Sequence, residues 1–402
     1  MTSRQSVGID LGTTHTVVAH VGRPLAPRRA EPLVPSVVAF PPSQDGGAIE
    51  PLVGRRARLR RPIDAANVIA SSKRLIGEPW NATRAEQLQS FYVPELVESP
   101  VRRIGLRTRA GVHDPVEIAE RILTYACGRV GVRPEENEAA VVTVPSAFGA
   151  RQRSAVFQAI REVGFDRVGI VEEPVATAIA YLQRSSLRYA AVYDFGGGTF
   201  DVTVVDCARY PFDVVAHGGD PFLGGDDVDR ALAEQVAQQT LEATGWDLRS
   251  ERGTFDRLIS ACEWAKRAMA EHERVGIPLT EIDPAAPADI PPAPIDRELV
   301  QRIAEPFIRR TFIYCDEVLD RGSIKARDVD AVFLAGGSSH LVGLKHHVQA
   351  YFGKRPRSDL DPLHVVAVGA SYAAARPDFQ KLLDVPVGRR RSRSSPRMTP
   401  IA

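Results

Sequence analysis

The stretch AVYDFGGGTFDVTVVD, residues 191–206, decides how the chain is read. Its Val, Tyr, Phe and Thr residues make two β-strands, yet Gly196, Gly197 and Gly198 interrupt them between Asp194 and Asp201. Glycine weakens a strand unless the backbone must turn or let something come close. A second stretch of the same design, VGIDLGTTHTVVAHV, occupies residues 7–21. In both, an apolar strand ends in Asp, turns through glycine and threonine, and continues as a β-branched strand. Asp10 and Asp194 stand 184 positions apart, nearly half of the 402 residues. A single repeat at that distance suggests two related lobes, not a solenoid with periods of ~20–50 residues.

Length supports the same division, because a chain of this size is long for one core. A hydrophobic content of 44% and a charged content of 25% are those of a globular protein. The net charge of +1 argues against nucleic acid as the main partner. No apolar run approaches the ~20 residues that span a bilayer, and the start MTSRQSVGID enters a strand without a signal-peptide core. Cys127, Cys207, Cys262 and Cys315 lack metal-ligand spacing and are expected as free buried thiols in a reducing cytosol. The six lysines are residues 73, 266, 325, 345, 354 and 381. A lysine kept amid so many arginines is a candidate for a role that needs an ammonium.

Each hairpin is followed by alternating strands and helices, which predicts an α/β fold with mixed sheets. Lobe I is expected over 1–186, with an inserted subdomain at about 39–114. Lobe II is expected over 187–378, with a mostly helical insertion at about 225–304. Within that insertion the pattern reads as one long helical region over 227–273, and IDPAAPADIPPAPID (282–296) reads as a proline-rich loop without an element. Residues 379–402 read as a linker-like segment followed by a basic tail.

A third glycine site, AVFLAGGSSH (331–340), places Gly336 and Gly337 between a strand and a helix. Backbone N–H groups in such turns form anion-binding concavities. One such loop is often only a tight turn, but three loops, two with an acid–glycine–threonine signature, point to a polyphosphate. The G-x-x-x-x-G-K-S/T loop and the G-x-G-x-x-G fingerprint are both missing. Facing hairpins can instead supply amides and Thr hydroxyls from two sides. Asp10 and Asp194 are the candidates to hold Mg²⁺ through its waters, since that ion prefers few carboxylates, retained water and phosphate oxygens.

These motifs resemble the nucleotide-binding domain of the 70-kilodalton heat-shock chaperones, within the actin and sugar-kinase superfamily, over nearly the whole chain. IDLGTTHTVVA and YDFGGGTFDVTVVD resemble the two phosphate hairpins, and SKRLIG the segment that carries the family's catalytic lysine. VVTVPSAFGARQR, VGIVEEPVATAIAYL, GDPFLGGDDVD, ACEWAKRAM and VFLAGGSSHLVGL resemble its remaining connecting and nucleotide-contact segments. The resemblance implies a two-lobed actin-like ATPase fold that binds ATP or ADP with Mg²⁺, with K⁺ as a candidate further cation.

Carried over by position, Lys73 would orient the attacking water and γ-phosphate, supported by Glu173 and Asp201. Gly12, Thr13, Thr14, Gly196 and Thr199 would meet phosphate, Thr199 near the γ position. Gly197, Gly198, Gly224, Gly225, Gly336, Gly337 and Ser338 would give close backbone approach. Glu263 and Lys266 would bind ribose hydroxyls, and Arg267 would pack on the base. Pro145 and Arg153 resemble the pair that relays nucleotide state to the surface. The adenosine side departs from the pattern: His340 stands for a base-stacking arginine and Ala270 for a base-bonding serine. His15 replaces a tyrosine and Glu172 an asparagine, and the last helix is preceded by Asp361-Pro362-Leu363-His364.

KLLDV (381–385) resembles the linker that precedes the family's peptide-binding domain, and the sequence ends 17 residues later. The expectation is therefore a slow ATP-hydrolysing conformational switch without a peptide clamp. Its expected partners are a co-chaperone, an exchange factor or a separate client-binding protein in the cytoplasm. A nucleotide sensor without turnover and an actin-like polymerising protein are the alternatives; a sugar kinase lacks a visible acceptor motif.

Overall fold

The computed structural model describes residues 6–26, 32–43, 49–137, 139–182 and 187–376. The linker-like KLLDV, Lys381 and the basic tail lie outside the described residues.

The first lobe is built on the hairpin of β1 (Val7–Leu11) and β2 (His15–His20), in which Asp10 opposes Val17 and Leu11 opposes Thr16. Helix α1 (Pro115–Arg129) follows, started by Asp114, whose carboxylate accepts from the Val116 amide at 2.8 Å while Pro115 occupies the first helical turn. β3 (Ala140–Val144) then runs parallel to β1, and β4 (Val168–Glu172) parallel to β3. A parallel pair needs a crossover, which α2 (Ala150–Val163) supplies. Every residue of β3 is buried, as a strand covered on both faces requires. α3 (Glu173–Tyr181) starts directly at the end of β4, with Pro174 in its first turn.

The second lobe repeats the scheme. β5 (Tyr189–Phe195), β6 (Phe200–Asp206) and β7 (Asp213–Asp220) form an antiparallel meander. α4 (Gly225–Thr244), α5 (Arg252–Ala268) and α6 (Arg297–Gly322) precede β8 (Ala331–Ala335), which pairs with β5 in parallel. α7 (Leu344–Phe352) and α8 (Val365–Ala375) complete the described chain. Each lobe thus places an Asp–Gly–Thr hairpin beside a parallel strand.

The two insertions are organised differently. The first holds two three-stranded sheets, Leu52–Val53/Val37–Ala39/Val68–Ala70 and Gly111–His113/Ile104–Thr108/Glu95–Glu98. Its Phe40, Leu75 and Ile104 share one continuous core with Ile9 and Val142 of the lobe sheet. The second insertion has a core of its own, formed by residues such as Leu232, Leu258, Ile277 and Ile295.

Two sequence readings are corrected there. The helical region expected over 227–273 is two helices, because Gly245 takes a left-handed conformation (φ 73°) and ends α4. The stretch expected as a plain loop contains a strand: Ala293–Asp296 pairs antiparallel with Arg274–Ile277. Proline did not prevent it, because a two-stranded ribbon leaves one edge of each strand unpaired.

The second lobe returns to the first through α8, whose Ala- and Gly-rich sequence lets backbones touch. A side chain at Gly369 would collide with the Ala176 carbonyl in α3, and one at Gly8 in β1 would collide with the backbone at Ser371. All four cysteines are buried and free. No described helix is long and apolar enough to cross a membrane.

Candidate functional site

Both hairpin turns face a cavity of about 500 Å³ between the lobes. From the first lobe, Asp10, Gly12, Thr13 and Thr14 line it, together with Lys73 and Glu173; from the second come Asp194, Gly196, Gly197, Thr199 and Asp201, with Gly336 and Gly337 of the third glycine turn. The turns meet closely enough that a side chain at Gly197 would strike the Thr14 hydroxyl. Gly336, at φ 79°, lies against the Asp194 carboxylate and could carry no other side chain without strain.

Buried side chains tie the first turn down. Ser36 Oγ donates to the Gly12 carbonyl at 2.8 Å and lies 3.0 Å from Thr16 Oγ1, while its own amide donates to the Thr14 carbonyl at 2.9 Å. The second turn is held by Ser338, whose hydroxyl donates to the Gly196 carbonyl at 2.7 Å, and by the Gly225 amide, which donates to the same carbonyl at 3.1 Å. Ser338 and Gly225 therefore act on the turn, away from the cavity wall.

Charge is concentrated at the cavity floor. Lys73 Nζ donates to Glu173 Oε1 at 2.5 Å, with the two side chains 7% and 13% exposed. Thr143 donates to Asp10 Oδ1 at 3.0 Å. Burial, reinforced by Glu173, raises the Asp10 pKa to about 6. Burial and then Glu173 raise Asp201 to about 7. Asp194 is lifted well above the carboxylate range by burial, then by Glu173, Asp201 and Asp10, with Lys73 opposing only in part. Burial works against the Lys73 ammonium, but Glu173, Asp10 and Asp194 outweigh it and raise its pKa. Four half-buried carboxylates thus share one buried lysine, an uncompensated negative excess. Among the described residues no three His, Cys, Asp or Glu side chains converge on one point as a direct metal cage. Such a donor set fits a divalent cation that keeps most of its water and takes one or two carboxylates.

The residues expected to serve the nucleoside are placed differently. Glu263, Lys266, Arg267, His340, Gly224 and Gly225 lie off the cavity wall. Glu263 is ion-paired with Arg58 of the first lobe. Lys266 Nζ pairs with Asp229 at 2.8 Å and donates to the Gly225 carbonyl at 3.0 Å. Arg267 is 55% exposed and 3.9 Å from Glu263. His340 lies 3.8 Å from Asp361, which also meets His364 Nδ1 at 3.0 Å; the two neighbouring imidazoles hold the Asp361 pKa below its usual value. His15, where the resemblance expects tyrosine, has its pKa lowered to about 4 by burial and then by Arg58 and Arg267.

Glu172 is accounted for by its neighbours: Arg153 Nη2 donates to it at 2.7 Å and Ser146 Oγ at 3.0 Å. Arg153 also donates to the Phe148 carbonyl at 2.8 Å, which ties it to the cavity-lining segment that contains Pro145. Sequence reasoning passed over Arg74, although it lies in the quoted SKRLIG. Arg74 crosses the cleft, donates to the Gly198 carbonyl and covers Gly198, which does not line the cavity. The only available signal was its place beside Lys73.

Two facing lobes, each a mixed sheet that ends in an acid–glycine–threonine turn over a shared cleft, define an actin-like fold. A family model described as Hsp70 protein matches residues 6–380. Chaperone protein DnaK of Thermus thermophilus is 32% identical over 385 residues, which cover 92% of this chain and 60% of that protein. Chaperone protein HscA of Escherichia coli is 33% identical over 391 residues, covering 94% and 60% respectively. The chain belongs to the Hsp70 family. It spans about 60% of the length of these curated relatives.

Proposed function

We propose that the chain binds ATP with Mg²⁺ between its lobes and hydrolyses it slowly, its closure reporting the bound nucleotide to a partner. The observation that carries this reading is the convergence of Asp10, Glu173, Asp194 and Asp201 around Lys73, directly beneath two glycine–threonine turns. Membership of the Hsp70 family supports it.

The turns offer amides and the Thr13, Thr14 and Thr199 hydroxyls to the phosphates. Asp10 and Asp194 would hold Mg²⁺, which when bound offsets the charge of both the carboxylates and the polyphosphate. Lys73 faces the γ-phosphate and stabilises the charge that develops on it, while Glu173 and Asp201 orient the attacking water. Asp201, whose pKa lies near 7, is suited to accept a proton from that water. Catalysis of this kind rests on positioning and electrostatics. Glu263, Lys266 and Arg267 serve the nucleoside, and K⁺ would be a secondary cation. The lobes run over 1–186 and 187–378. The partner is a co-chaperone, an exchange factor or a client-binding protein in the cytoplasm.

A second reading, a nucleotide sensor without turnover, draws on the nucleoside end, where Ala270 and His340 replace a serine and an arginine. Excess protein mixed with limiting Mg-ATP in potassium buffer separates the two. A slow exponential release of phosphate that Lys73→Ala abolishes is expected. Bound ATP that stays intact overturns hydrolysis and leaves the sensor.

A further inference from the structure

Lys73 and Arg74 are adjacent in one short turn, Ser72–Leu75, yet their side chains part. Lys73 stays with Glu173 in the first lobe, whereas Arg74 reaches the second. There its Nη2 donates to the Gly198 carbonyl and its guanidinium lies over the Phe222 ring, 5.2 Å from the centroid. Phe222 is in turn stacked on Phe91 of the first-lobe insertion, with ring centroids 4.3 Å apart. A side chain at Gly198 would occupy the position of the guanidinium. The glycine at this end of the turn therefore makes room for protein, and Gly197 faces the cavity in its place.

The Gly198 carbonyl belongs to the peptide unit that carries the Thr199 N–H. In a trans peptide these two groups point in opposite directions. A cation that holds the carbonyl on one side directs the amide to the other; Thr199 lines the cavity, as do Arg74 and Phe222. We propose that Arg74 is a positioning residue: by clamping the Gly198 carbonyl across the cleft, it aims the Thr199 amide at the terminal phosphate and sets the preference for a nucleoside triphosphate over a diphosphate. The inference rests on the nucleotide reading above. Arginine suits the task better than lysine, because its planar fork donates in one direction while its face stacks on Phe222.

Calorimetric titration with Mg-ADP and with the Mg complex of an imido analogue of ATP tests this without interference from turnover. Arg74→Ala is expected to leave ADP affinity within about twofold and to weaken the triphosphate about tenfold, as loss of a charge-assisted hydrogen bond does. Arg74→Lys, which keeps the charge but loses the fork and the stack, is expected to resemble Arg74→Ala more than the parent. Phe222→Ala, which leaves the turn itself intact, should shift the triphosphate-to-diphosphate ratio in the same direction by about threefold, and it decides the matter if Arg74→Ala fails to fold. A merely structural arginine would weaken both nucleotides alike or neither, and an unchanged ratio overturns the inference alone. A parent protein that binds neither nucleotide brings down the nucleotide reading as well.

Discussion

The two ends of the cleft handle charge in opposite ways. At the floor of the cavity, the half-buried Asp10, Glu173, Asp194 and Asp201 surround Lys73 with more negative charge than the protein neutralises. At the other end each carboxylate has a cation beside it, Glu263 with Arg58 and Asp229 with Lys266, although burial still raises the Asp229 pKa to about 7. One end is built at a cost in stability that a bound cation would relieve. The other is a set of protein contacts that a ligand must share or displace.

Asp194→Asn attacks this contrast most directly. Folding lifts the Asp194 pKa, so its ionised form destabilises the protein above the unfolded value of about 4. In EDTA at pH 7.5 the Asn variant should melt several degrees above the parent, and the gain should shrink as pH falls and vanish below about 4, where Asp194 is neutral in both the folded and the unfolded chain. The same variant should lose Mg-ATP hydrolysis. A variant less stable than the parent at pH 7.5 would mean that the acidic floor is not under charge stress.

His15 sharpens the comparison from the boundary between the two ends. Its folded pKa of about 4 lies below the unfolded value of about 6.5. The unfolded chain therefore takes up the proton first, and stability present above pH 6.5 is lost as pH falls towards 4. His15→Gln should remove an acid sensitivity of about 1–2 kcal/mol at pH 5, measured by denaturant unfolding at pH 5 and 7.5. Equal slopes against pH would refute the assignment.

Glu263→Gln weakens the pair with Arg58 that spans the lobes. ADP release, followed with a fluorescent analogue, should quicken about tenfold, the effect of losing a partly buried ion pair. Ala270→Ser is the mildest test. If a missing base hydrogen bond weakens ATP, the variant should bind it about threefold more tightly. No gain would mean that the base does not reach Ala270.

Much of this was legible because local chemistry dictated it. The Asp–Gly–Thr turns announced themselves, since glycine inside a β-branched run has few explanations. Lys73 stood out through the scarcity of lysine. Contacts made only by folding did not: Arg58 and Glu263 are 205 residues apart, and Arg74 and Gly198 are 124 apart. Arginines in a basic stretch look alike until the lobes close. The Ala293–Asp296 strand was hidden by the prolines of its stretch, of which only Pro294 lies in the ribbon, and the break at Gly245 by the apolar rhythm on either side.

The crossing of α8 over the first lobe carries a mechanical consequence. Where Gly369 meets the Ala176 carbonyl and Gly8 meets the backbone at Ser371, no side chains separate the two halves. Side chains act as a cushion that can be sheared, whereas bare backbones in contact resist both compression and sliding. The motion left at low cost is rotation about this spot, as in a pair of tongs whose rivet is made of glycine and alanine. An angular change at such a rivet would be felt where Arg58 and Glu263 pair across the lobes. A bulkier residue at position 369 would stiffen or misalign the tongs from a point remote from any phosphate.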